Sequence, residues 1–454
     1  MNINAITKAY FIGVGGIGVS AIVRLFAGRG IIVAGSDGTF PGAGALPSGQ
    51  YFEGADSSHV PFDASVVIYS PAVPPTNVER MRAEELGIPT LSYPEALALV
   101  TSGSDTIAVS GTHGKSTTTA LLGKLFEEGG MDASVIVGAE VPGWDRNYHK
   151  GRGDMFIVEA CEYRRNMMHL SPQAILLTNL ELDHPDYYLD LADVKSAFRD
   201  YIKKLSGEDL LIVNNDDANI RDVVKGSDAI MVSFGVGGGA DLIARNIRED
   251  AAEQSFELIW KGTSIGEFST PLPGLYNVYN ILAATAVYLA YGGSRDHIQP
   301  VLTTFVGVGR RFEVVGELGA AIIVSDYAHH PTALTAVVDA ALSRYRGKSI
   351  LTVFRPHHRE RTIKLMDEFV ETMLGIPHCV LIEIYDVPGR EENTQVSSHD
   401  IIDRVFAHDP QKDIVYAKDL SEAEGVVRGK ASLFDVILIV GAGDADQLAK
   451  RLVS

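Results

Sequence analysis

A glycine-rich segment, Gly111–Ser116, constrains the fold of this chain more than any other feature of its sequence. It reads Gly-Thr-His-Gly-Lys-Ser, follows the apolar run Thr106–Val109 and precedes Thr117–Glu127, which suits a helix. Backbone N–H groups of such a loop close around phosphate oxygens, and the helix N-terminus adds a partial positive charge. Lys115 would neutralise phosphate charge, and Ser116 would offer a hydroxyl to Mg²⁺. Valine replaces the first glycine of the full Walker pattern. We nevertheless interpret Gly111–Ser116 as a phosphate-binding loop, called the phosphate loop below, which predicts a strand, a loop and a helix in succession. The alternative is a glycine-rich turn without a ligand.

Strand-like apolar runs alternate with helix-like patterns along most of the chain, which is typical of α/β units with largely parallel sheets. The runs are Ala9–Val14, Ile31–Ala34, Val66–Tyr69, Thr106–Val109, Met155–Val158, Ala174–Thr178, Ala321–Val324, Ser349–Phe354 and Val436–Val440. At ~150 residues per domain, 454 residues suggest three domains, and a hydrophobic content of 46% is ample for several cores. Linker-like segments at 101–105 and 292–294 predict units of residues 1–103, 104–295 and 296–454. A strand-rich stretch at 209–270 is an insertion in the second unit or an extension of its sheet.

Charge and cysteine usage exclude several classes of protein. The net charge is -19 and the pI is about 5.1, so the chain repels polyphosphate at long range, and we expect no nucleic-acid binding. Two cysteines, Cys161 and Cys379, provide no disulfide framework and fit a reducing compartment. Since the N-terminus lacks a signal-peptide pattern and no apolar run approaches the ~18 residues of a membrane span, we expect a cytoplasmic protein without membrane insertion.

A second glycine-rich segment, Gly13-Val14-Gly15-Gly16-Ile17-Gly18, lies between the first apolar run and a helix-like pattern; we call it the first glycine turn. It matches G-x-G-x-x-G, and Asp37 stands 19 residues after Gly18, where dinucleotide folds place a ribose-binding acid. A diphosphate-binding turn explains the glycines, their context and Asp37 together, whereas a structural turn explains the glycines alone. Two phosphate loops suggest two phosphorylated ligands, ATP and a nucleotide-linked substrate.

Acidic residues and one histidine follow two strand-like runs of the second unit. Glu159 ends the run that starts at Met155, Glu162 comes soon after it, and the segment 180–184 (Leu-Glu-Leu-Asp-His) follows the run ending at Thr178. Carboxylates at strand ends beside a phosphate loop can hold Mg²⁺, and His184 could ligate a second ion. The alternative for His184 is an ordinary hydrogen-bonded histidine.

The third unit carries clusters of arginine, histidine and aspartate just after its strand-like runs. They are Arg310–Glu313, Asp326–Pro331 and Arg355–Arg361. An arginine fork suits γ-phosphate or carboxylate groups because it donates two parallel hydrogen bonds. Each charge taken singly would suit a solvated face, but their common position after strands favours a cleft.

In this order, these segments resemble the Mur ligase family over nearly the whole chain. Residues 11–20 with 35–37 are similar to its nucleotide-sugar signature, and 111–118 are similar to its ATP loop, which itself lacks the extra Walker glycine. The other matches are 178–184 for the metal segment, 274–280 for the adenine segment, and 310–313, 326–331 and 441–444 in the third unit. The resemblance implies a Rossmann-like UDP-binding domain, a central P-loop ATPase-like domain and a C-terminal Rossmann-like domain.

The resemblance also implies an ATP-dependent ligase that uses Mg²⁺ and joins L-alanine to UDP-N-acetylmuramate through an acyl phosphate, in peptidoglycan precursor synthesis. The implied catalytic residues are Lys115, Glu159, His184 and Arg311, and the implied metal ligands are Ser116, Glu159 and His184. The implied ATP-binding residues are Gly111, Thr112, His113, Gly114, Lys115, Ser116, Thr117, Asn277, Asn280, Arg311 and Asp326. Those implied for the UDP-sugar are Gly13, Gly15, Gly16, Ile17, Gly18, Ser20, Asp37 and Ser70, and those for the amino acid are Tyr327, His357 and Arg361.

Three positions depart from the family pattern. Tyr276 replaces the usual histidine of the adenine segment, Cys161 stands where aspartate is commoner, and His358 stands where arginine is frequent. The amino acid stays open between L-alanine, L-serine and glycine, and a tripeptide ligase of cell-wall recycling is the alternative within the family. We expect a monomer or a weak homodimer.

Three hypotheses from other classes compete with the ligase. An NAD-dependent oxidoreductase would use the first glycine turn but leaves Lys115 unexplained. A zinc hydrolase could draw on the histidines 184, 329, 330, 357 and 358, but they lack the H-E-x-x-H spacing. A regulatory sugar-nucleotide binder would not need the set Lys115, Ser116, Glu159 and His184.

Overall fold

The first sheet is wholly parallel and carries the first glycine turn. The computed structural model describes residues 1–39, 45–386 and 395–454, and the strand order of this sheet is β3-β2-β1-β4-β5. The strands are β1 (Lys8–Ile12), β2 (Ile32–Asp37), β3 (Gln50–Glu53), β4 (Val66–Tyr69) and β5 (Thr90–Ser92), and the helices are α1 (Ile17–Gly28), α2 (Val78–Glu85) and α3 (Tyr93–Thr101). Because β1 pairs with β2 on one side and β4 on the other, the turn lies at the topological switch point, where open α/β sheets bind ligands.

The second sheet has ten strands in the order β15-β14-β13-β12-β11-β10-β6-β9-β7-β8. They are β6 (Asp105–Ser110), β7 (Ser134–Ile136), β8 (Tyr148–His149), β9 (Met155–Glu159), β10 (Ala174–Leu177), β11 (Leu210–Asn214), β12 (Ile230–Gly235), β13 (Leu242–Glu249), β14 (Gln254–Trp260) and β15 (Thr263–Thr270). The helices are α4 (Lys115–Glu128), α5 (Leu191–Ile202), α6 (Ala218–Val223), α7 (Leu275–Ala290) and α8 (Ile298–Thr304). The strands β6, β9, β10, β11 and β12 are parallel, whereas β13 to β15 extend the sheet in antiparallel pairs. The strand-rich stretch at 209–270 therefore contains two parallel strands, β11 and β12, as well as this extension.

The third sheet has six strands in the order β16-β17-β21-β18-β19-β20, and only the pair β16–β17 is antiparallel. The strands are β16 (Glu313–Leu318), β17 (Ala321–Asp326), β18 (Ile350–Arg355), β19 (His378–Ile382), β20 (Asp413–Ala417) and β21 (Val436–Gly441). The helices are α9 (Pro331–Arg344), α10 (Arg359–Lys364), α11 (Met366–Gly375), α12 (Ser398–His408), α13 (Leu420–Lys430) and α14 (Ala445–Val453). Short 3-10 turns occur at Ile3–Ala5, Ser57–His59, Tyr163–His169, Arg295–His297 and Ala431–Leu433.

The α/β class with three units is confirmed, and every predicted strand run overlaps a strand of these sheets. Such runs are apolar throughout because helices cover both faces of a parallel sheet, as the wholly buried β21 illustrates. The helix after the phosphate loop begins at Lys115, two residues before the predicted start.

Helix α8 lies on the far side of the predicted boundary at residue 296 but packs with the second unit. Its buried residues Ile298, Val301 and Leu302, together with Phe305 and Val308, join the core formed by α4, α7 and the second sheet. The chain therefore stays in the second unit past the glycine pair at 292–293. None of the described helices has the length and apolar character that crossing a membrane requires.

Candidate active site

The phosphate loop leaves the carboxyl end of β6 and runs directly into α4. Gly111 (φ 131°) and Gly114 (φ 81°) adopt left-handed backbone conformations that favour glycine. A Cβ atom at Gly111 would collide with the Thr178 hydroxyl, and one at Gly114 would collide with the side-chain oxygen of Asn280. Glycine is therefore required at both positions, because the loop is pressed against β10 on one side and α7 on the other.

The residues that follow β10 hold the phosphate loop in shape. The His113 N–H donates to Asn179 Oδ1 at 2.8 Å, and the His113 carbonyl accepts from Thr178 Oγ1 at 2.7 Å and from Asn179 Nδ2 at 3.0 Å. Sequence reasoning gave Asn179 no role of its own. The only signal was its place directly after a strand that neighbours the one preceding the phosphate loop.

Lys115 pairs with Glu162, an acidic residue that sequence reasoning placed near the phosphate loop without assigning it this partner. Its Nζ donates to Glu162 Oε2 at 2.9 Å and to the carbonyl oxygens of Gly111 and Thr112 at 2.5 and 3.0 Å. Burial lowers the pKa of Lys115, but Glu162, together with Cys161 and Glu159, outweighs burial and raises the pKa overall, so the ammonium stays charged. Burial likewise raises the pKa of Glu162, while the Lys115 charge and a hydrogen bond from His184 lower it overall.

His184 completes this cluster from the loop after β10. Its Nε2 atom lies 3.4 Å from Glu162 Oε1, and its ring packs on Tyr163 with centroids 4.6 Å apart. The backbone of His184 is left-handed (φ 54°), a conformation that non-glycine residues adopt at functional sites when their surroundings hold them there. Glu162 therefore connects the cation of the phosphate loop to the predicted metal-binding histidine.

Glu159 and Ser116, two of the predicted metal ligands, form a second contact near Lys115. Glu159 accepts hydrogen bonds from the Gly138 N–H and from Ser116. Burial raises its pKa above the ordinary value, although Lys115 and Arg311 act in the opposite direction. A hydroxyl and a carboxylate are the oxygen donors that Mg²⁺ prefers, so these two side chains fit that ion.

A cavity of about 480 Å³ lies between the second and third units and collects most of the predicted ATP residues. Its walls include His113, Gly114, Ser116, Thr117, Asn277, Asn280, Arg311 and Asp326. The other predicted ATP residues, Gly111, Thr112 and Lys115, do not line it. Among the described residues Arg311 makes no ion pair within 4 Å, whereas both oxygens of Asp326 accept backbone N–H groups, from Phe312 and Ala328 at 2.7 Å.

The residues predicted to bind the amino acid lie where the third unit meets the second. Arg361 is buried and donates from Nε and Nη2 to Asp183 Oδ1 at 3.0 and 2.7 Å, and its Nη1 donates to the His357 carbonyl at 3.1 Å. Burial raises the pKa of Asp183, but the Arg361 charge, together with smaller contributions from neighbouring histidines, outweighs burial and holds the pKa well below its usual range. Tyr327 lies under the guanidinium groups of Arg310 and Arg311, with centroid distances of 4.5 and 5.0 Å. In this arrangement Arg361 joins two units, and its contact with an amino acid stays a prediction.

The first glycine turn presents backbone groups to solvent and is held by one carboxylate, that of Asp37. The Gly15 N–H donates to Asp37 Oδ2 at 2.7 Å, and Gly15, Gly16 and Ile17 are exposed to solvent. Ser20 is buried, and its hydroxyl donates to the Ile17 carbonyl at 3.0 Å, so it faces its own helix. The backbone of Ser70 pairs with β1, and its Cβ atom would lie 3.0 Å from a Cβ built at Gly13.

Tyr93 lies between the first glycine turn and the end of β9, near Glu159. The Tyr93 ring lies against Gly18, where an added Cβ would approach it to 2.8 Å. Burial raises the pKa of Tyr93, and the charges of Glu159 and Cys161 raise it further. Tyr93 therefore packs against the first glycine turn and lies near Glu159 and Cys161 of the second unit.

The structure defines the surroundings of the three departures from the family pattern. The Tyr276 hydroxyl is buried at the wall of the 480 Å³ cavity and makes no well-aligned hydrogen bond with the described residues, although Asn277 lies beside it. Part of Cys161 is exposed, but desolvation of its thiol beside Glu162 raises the thiol pKa to about 12, which does not suit a nucleophile. His358 is buried and precedes α10 with a left-handed backbone (φ 80°).

Comparison with known families covers all three units. The Mur ligase family catalytic domain matches residues 8–104, the Mur ligase middle domain matches 109–288, and the Mur ligase glutamate ligase domain matches 310–443. The UDP-N-acetylmuramate–L-alanine ligase of Desulfitobacterium hafniense is 33% identical over 457 residues, which cover 98% of this chain and 99% of that protein. This chain belongs to the Mur ligase family. The ligase of the same name from Salinibacter ruber is also 33% identical, over 99% of this chain and 94% of its own.

Solved structures agree with the fold of this Mur ligase. The UDP-N-acetylmuramate–alanine ligase of Thermotoga maritima superposes with a TM-score of 0.80 at 25% identity, over 98% of both chains. A murein peptide ligase from Psychrobacter arcticus has a TM-score of 0.72 at 22% identity over 98% of both chains, which supports the fold alone. The resemblance inferred from the sequence is thereby confirmed at the level of the family.

Proposed function

We propose that this Mur ligase joins L-alanine to UDP-N-acetylmuramate in an ATP-dependent reaction, in the synthesis of peptidoglycan precursors. The observation that carries the proposal is the cavity between the second and third units, where the phosphate loop, Arg311 and Asp326 meet. Full-length relatives that bear the name of this activity, at 33% identity, support the choice of substrates. Because ATP and UDP-linked sugars are its substrates, we expect the enzyme to work in the cytoplasm.

The proposed reaction has two steps. An oxygen of the substrate carboxylate attacks the γ-phosphorus of ATP, the bond to ADP breaks, and an acyl phosphate forms. The amine of L-alanine then attacks the acyl carbon, loses a proton, and expels inorganic phosphate to leave the amide. The nucleophiles belong to the substrates, so the protein has to position them and neutralise charge.

The cations of the cavity match the first step. Lys115 is held charged at the base of the phosphate loop and would contact the β- and γ-phosphates, and Arg311, which has no ion-pair partner among the described residues, would reach the γ-phosphate. Mg²⁺ would be held by Ser116 and Glu159, with His184 near a second ion, and would neutralise phosphate charge when bound. Asn277 and Asn280 would lie near adenine, and Asp326 near the ribose.

The other two substrates would approach from opposite sides. The exposed backbone of the first glycine turn, with Asp37, would bind the UDP diphosphate and ribose. Tyr327 and His357, on the third unit, would line the amino-acid site. Arg361 would either contact the amino acid directly or position His357 through its carbonyl, since its guanidinium is bonded to Asp183.

The test is a parallel incubation of the purified protein with UDP-N-acetylmuramate, ATP and Mg²⁺, adding either L-alanine or the L-Ala-γ-D-Glu-meso-diaminopimelate tripeptide. Phosphate release and product mass are read together. We expect phosphate release with L-alanine and a product heavier by one alanine residue. A tripeptide adduct alone would mean a murein peptide ligase, and no product with either acceptor, in protein that binds ATP, would reject the ligase proposal.

A further inference from the structure

Three side chains from three elements bring their ligand atoms together at the edge of the phosphate loop. His113 belongs to that loop, Glu181 follows β10, and His330 is the N-cap of α9 in the third unit. One nitrogen of each histidine and one oxygen of Glu181 all lie within 4.8 Å of one another. From this geometry we propose a binding site for a zinc-like divalent cation, separate from the magnesium ligands Ser116 and Glu159.

The hydrogen bonds of His330 leave the correct nitrogen available. Its Nε2 atom lies 3.1 Å from the Leu182 carbonyl oxygen, which can only accept, so Nε2 carries the proton. The lone pair of the neutral ring is therefore on Nδ1, which lies 3.9 Å from Glu181 Oε1 and accepts only a long 3.3 Å bond from the Thr332 N–H. Metal-binding histidines characteristically donate their other N–H to a carbonyl oxygen in this way.

His113 and Glu181 also direct a ligand atom toward the proposed site. The Nε2 atom of His113 is buried and makes no well-aligned hydrogen bond with the described residues, although Glu181 Oε1 lies against it. The second oxygen of Glu181 accepts a hydrogen bond from Thr332 Oγ1 at 2.8 Å, which orients the carboxylate and leaves Oε1 toward the two rings. A bound ion requires His113 Nε2 and Glu181 Oε1 to move apart, and His330 Nδ1 to move closer to Glu181 Oε1, until all three reach a spacing of about 3 Å, as in a tetrahedral site.

The donor set selects the class of ion. Two imidazoles and one carboxylate suit Zn²⁺, Co²⁺ or Ni²⁺, whereas Mg²⁺ prefers oxygen ligands alone. His113 and Glu181 also line the 480 Å³ cavity, so a fourth ligand position faces the space proposed for ATP. Because His330 comes from the third unit, the ion would hold two units together across that cavity and would slow turnover.

The experiment uses full-length protein with excess Mg²⁺ and without nucleotide, titrated with Co²⁺ as a coloured substitute for Zn²⁺. We expect one equivalent of Co²⁺ to give the visible absorption of a four- or five-coordinate ion, which Zn²⁺ then displaces. His330→Gln and His113→Gln should each abolish the absorption band. Thr332→Val, which keeps all three ligands, should weaken Zn²⁺ binding by about tenfold.

Two control variants test whether the absorption band is specific to the proposed ligands. His378→Gln removes an exposed histidine paired with Asp413, and His184→Gln alters the predicted magnesium cluster, so both should retain the band. Zn²⁺ should also raise the Tm of wild type but not of His330→Gln. Absence of the band in wild type, its survival in both ligand variants, or its loss only in His184→Gln would overturn the proposal. Metal binding is read without turnover, so neither result bears on the proposed ligase activity.

Discussion

The first glycine turn and the phosphate loop both follow a strand with parallel neighbours on either side, and both run directly into a helix. Their side chains differ. The first turn contains no cationic side chain and uses the exposed N–H groups around Gly15, one of which is bonded to Asp37. The phosphate loop contains Lys115, which is buried against Glu162 with His184 behind it.

We infer from this difference that the first glycine turn binds a substrate, whereas the phosphate loop takes part in phosphoryl transfer. A backbone turn at a helix N-terminus can hold a diphosphate whose charge stays constant, because its partial charges match that anion. A transferring phosphoryl group redistributes charge, and full charges placed in a water-poor site stabilise that change far better. We therefore expect substitutions at the two segments to separate into effects on substrate affinity and effects on turnover.

The largest expected effect comes from Lys115→Met. Removing the ammonium should lower kcat/KM by about 10³-fold or more, because a cation on the transferring phosphoryl group is lost. Binding of UDP-N-acetylmuramate, measured by calorimetry, should stay unchanged. The matched control is Lys124→Met on the same helix, where the lysine pairs with Glu127 at the surface. Activity above one-tenth of wild type in Lys115→Met would contradict the expectation that the phosphate loop acts on turnover through the charge of Lys115.

Asp183→Asn should cost stability where the second and third units meet. It leaves the buried Arg361 without its carboxylate, so we expect a loss of about 3 kcal/mol in the free energy of unfolding, measured by urea denaturation. The exposed pair of His378 with Asp413 provides the control Asp413→Asn, which should change stability by less than about 1 kcal/mol. Equal losses in the two variants would contradict the importance of burial.

The same aspartate predicts the sign of a pH dependence. Because the folded-state pKa of Asp183 lies below the unfolded value of about 3.9, its contribution to stability is complete above that pH. The contribution is lost as the pH falls through the folded-state pKa. Wild type should therefore lose more stability than Asp183→Asn between about pH 4 and pH 2, and parallel unfolding curves over that range would disprove the assignment.

Asp37→Asn tests the first glycine turn. The variant keeps the shape of the side chain but weakens its bond to the Gly15 N–H and removes a charged acceptor for ribose hydroxyls. We expect KM for UDP-N-acetylmuramate to rise about tenfold, close to the 1.5 kcal/mol of a charged hydrogen bond, with KM for ATP unchanged. Asp63→Asn, which alters an exposed partner of Lys8 in the same unit, is the control. A fall in kcat at saturating substrate would contradict the expectation that the first glycine turn affects substrate affinity alone.

The smallest expected effect is that of Tyr276→Phe. Its buried hydroxyl lacks a well-aligned partner among the described residues, and Tyr276 lines the cavity, so we expect a bound nucleotide to supply that partner. We expect KM for ATP to rise about fivefold, equivalent to roughly 1 kcal/mol, without a fall in Tm. An unchanged KM together with a lower Tm would mean that the hydroxyl serves the fold alone.

The sequence predicted local structure well because its signals are local. The order of apolar runs indicated three α/β units, and the glycines at 111 and 114 were required by a loop that the structure presses against β10 and α7. The predicted boundary at 296 misplaced α8, since a glycine pair marks a turn but does not say which core the next helix joins. Departures such as Tyr276 were visible in the sequence, but their consequences were not.

Pairings between distant segments needed the tertiary structure. Glu162 and Glu159 stand three residues apart, and only the path of the chain after β9 turns one toward Lys115 and His184 and the other toward Ser116. The sequence by itself determined the strand–loop–helix units and the residue types that handle phosphate. The structure decided which acid meets which cation, and how Arg361 and His330 of the third unit close on the second, because such contacts depend on how separate units pack.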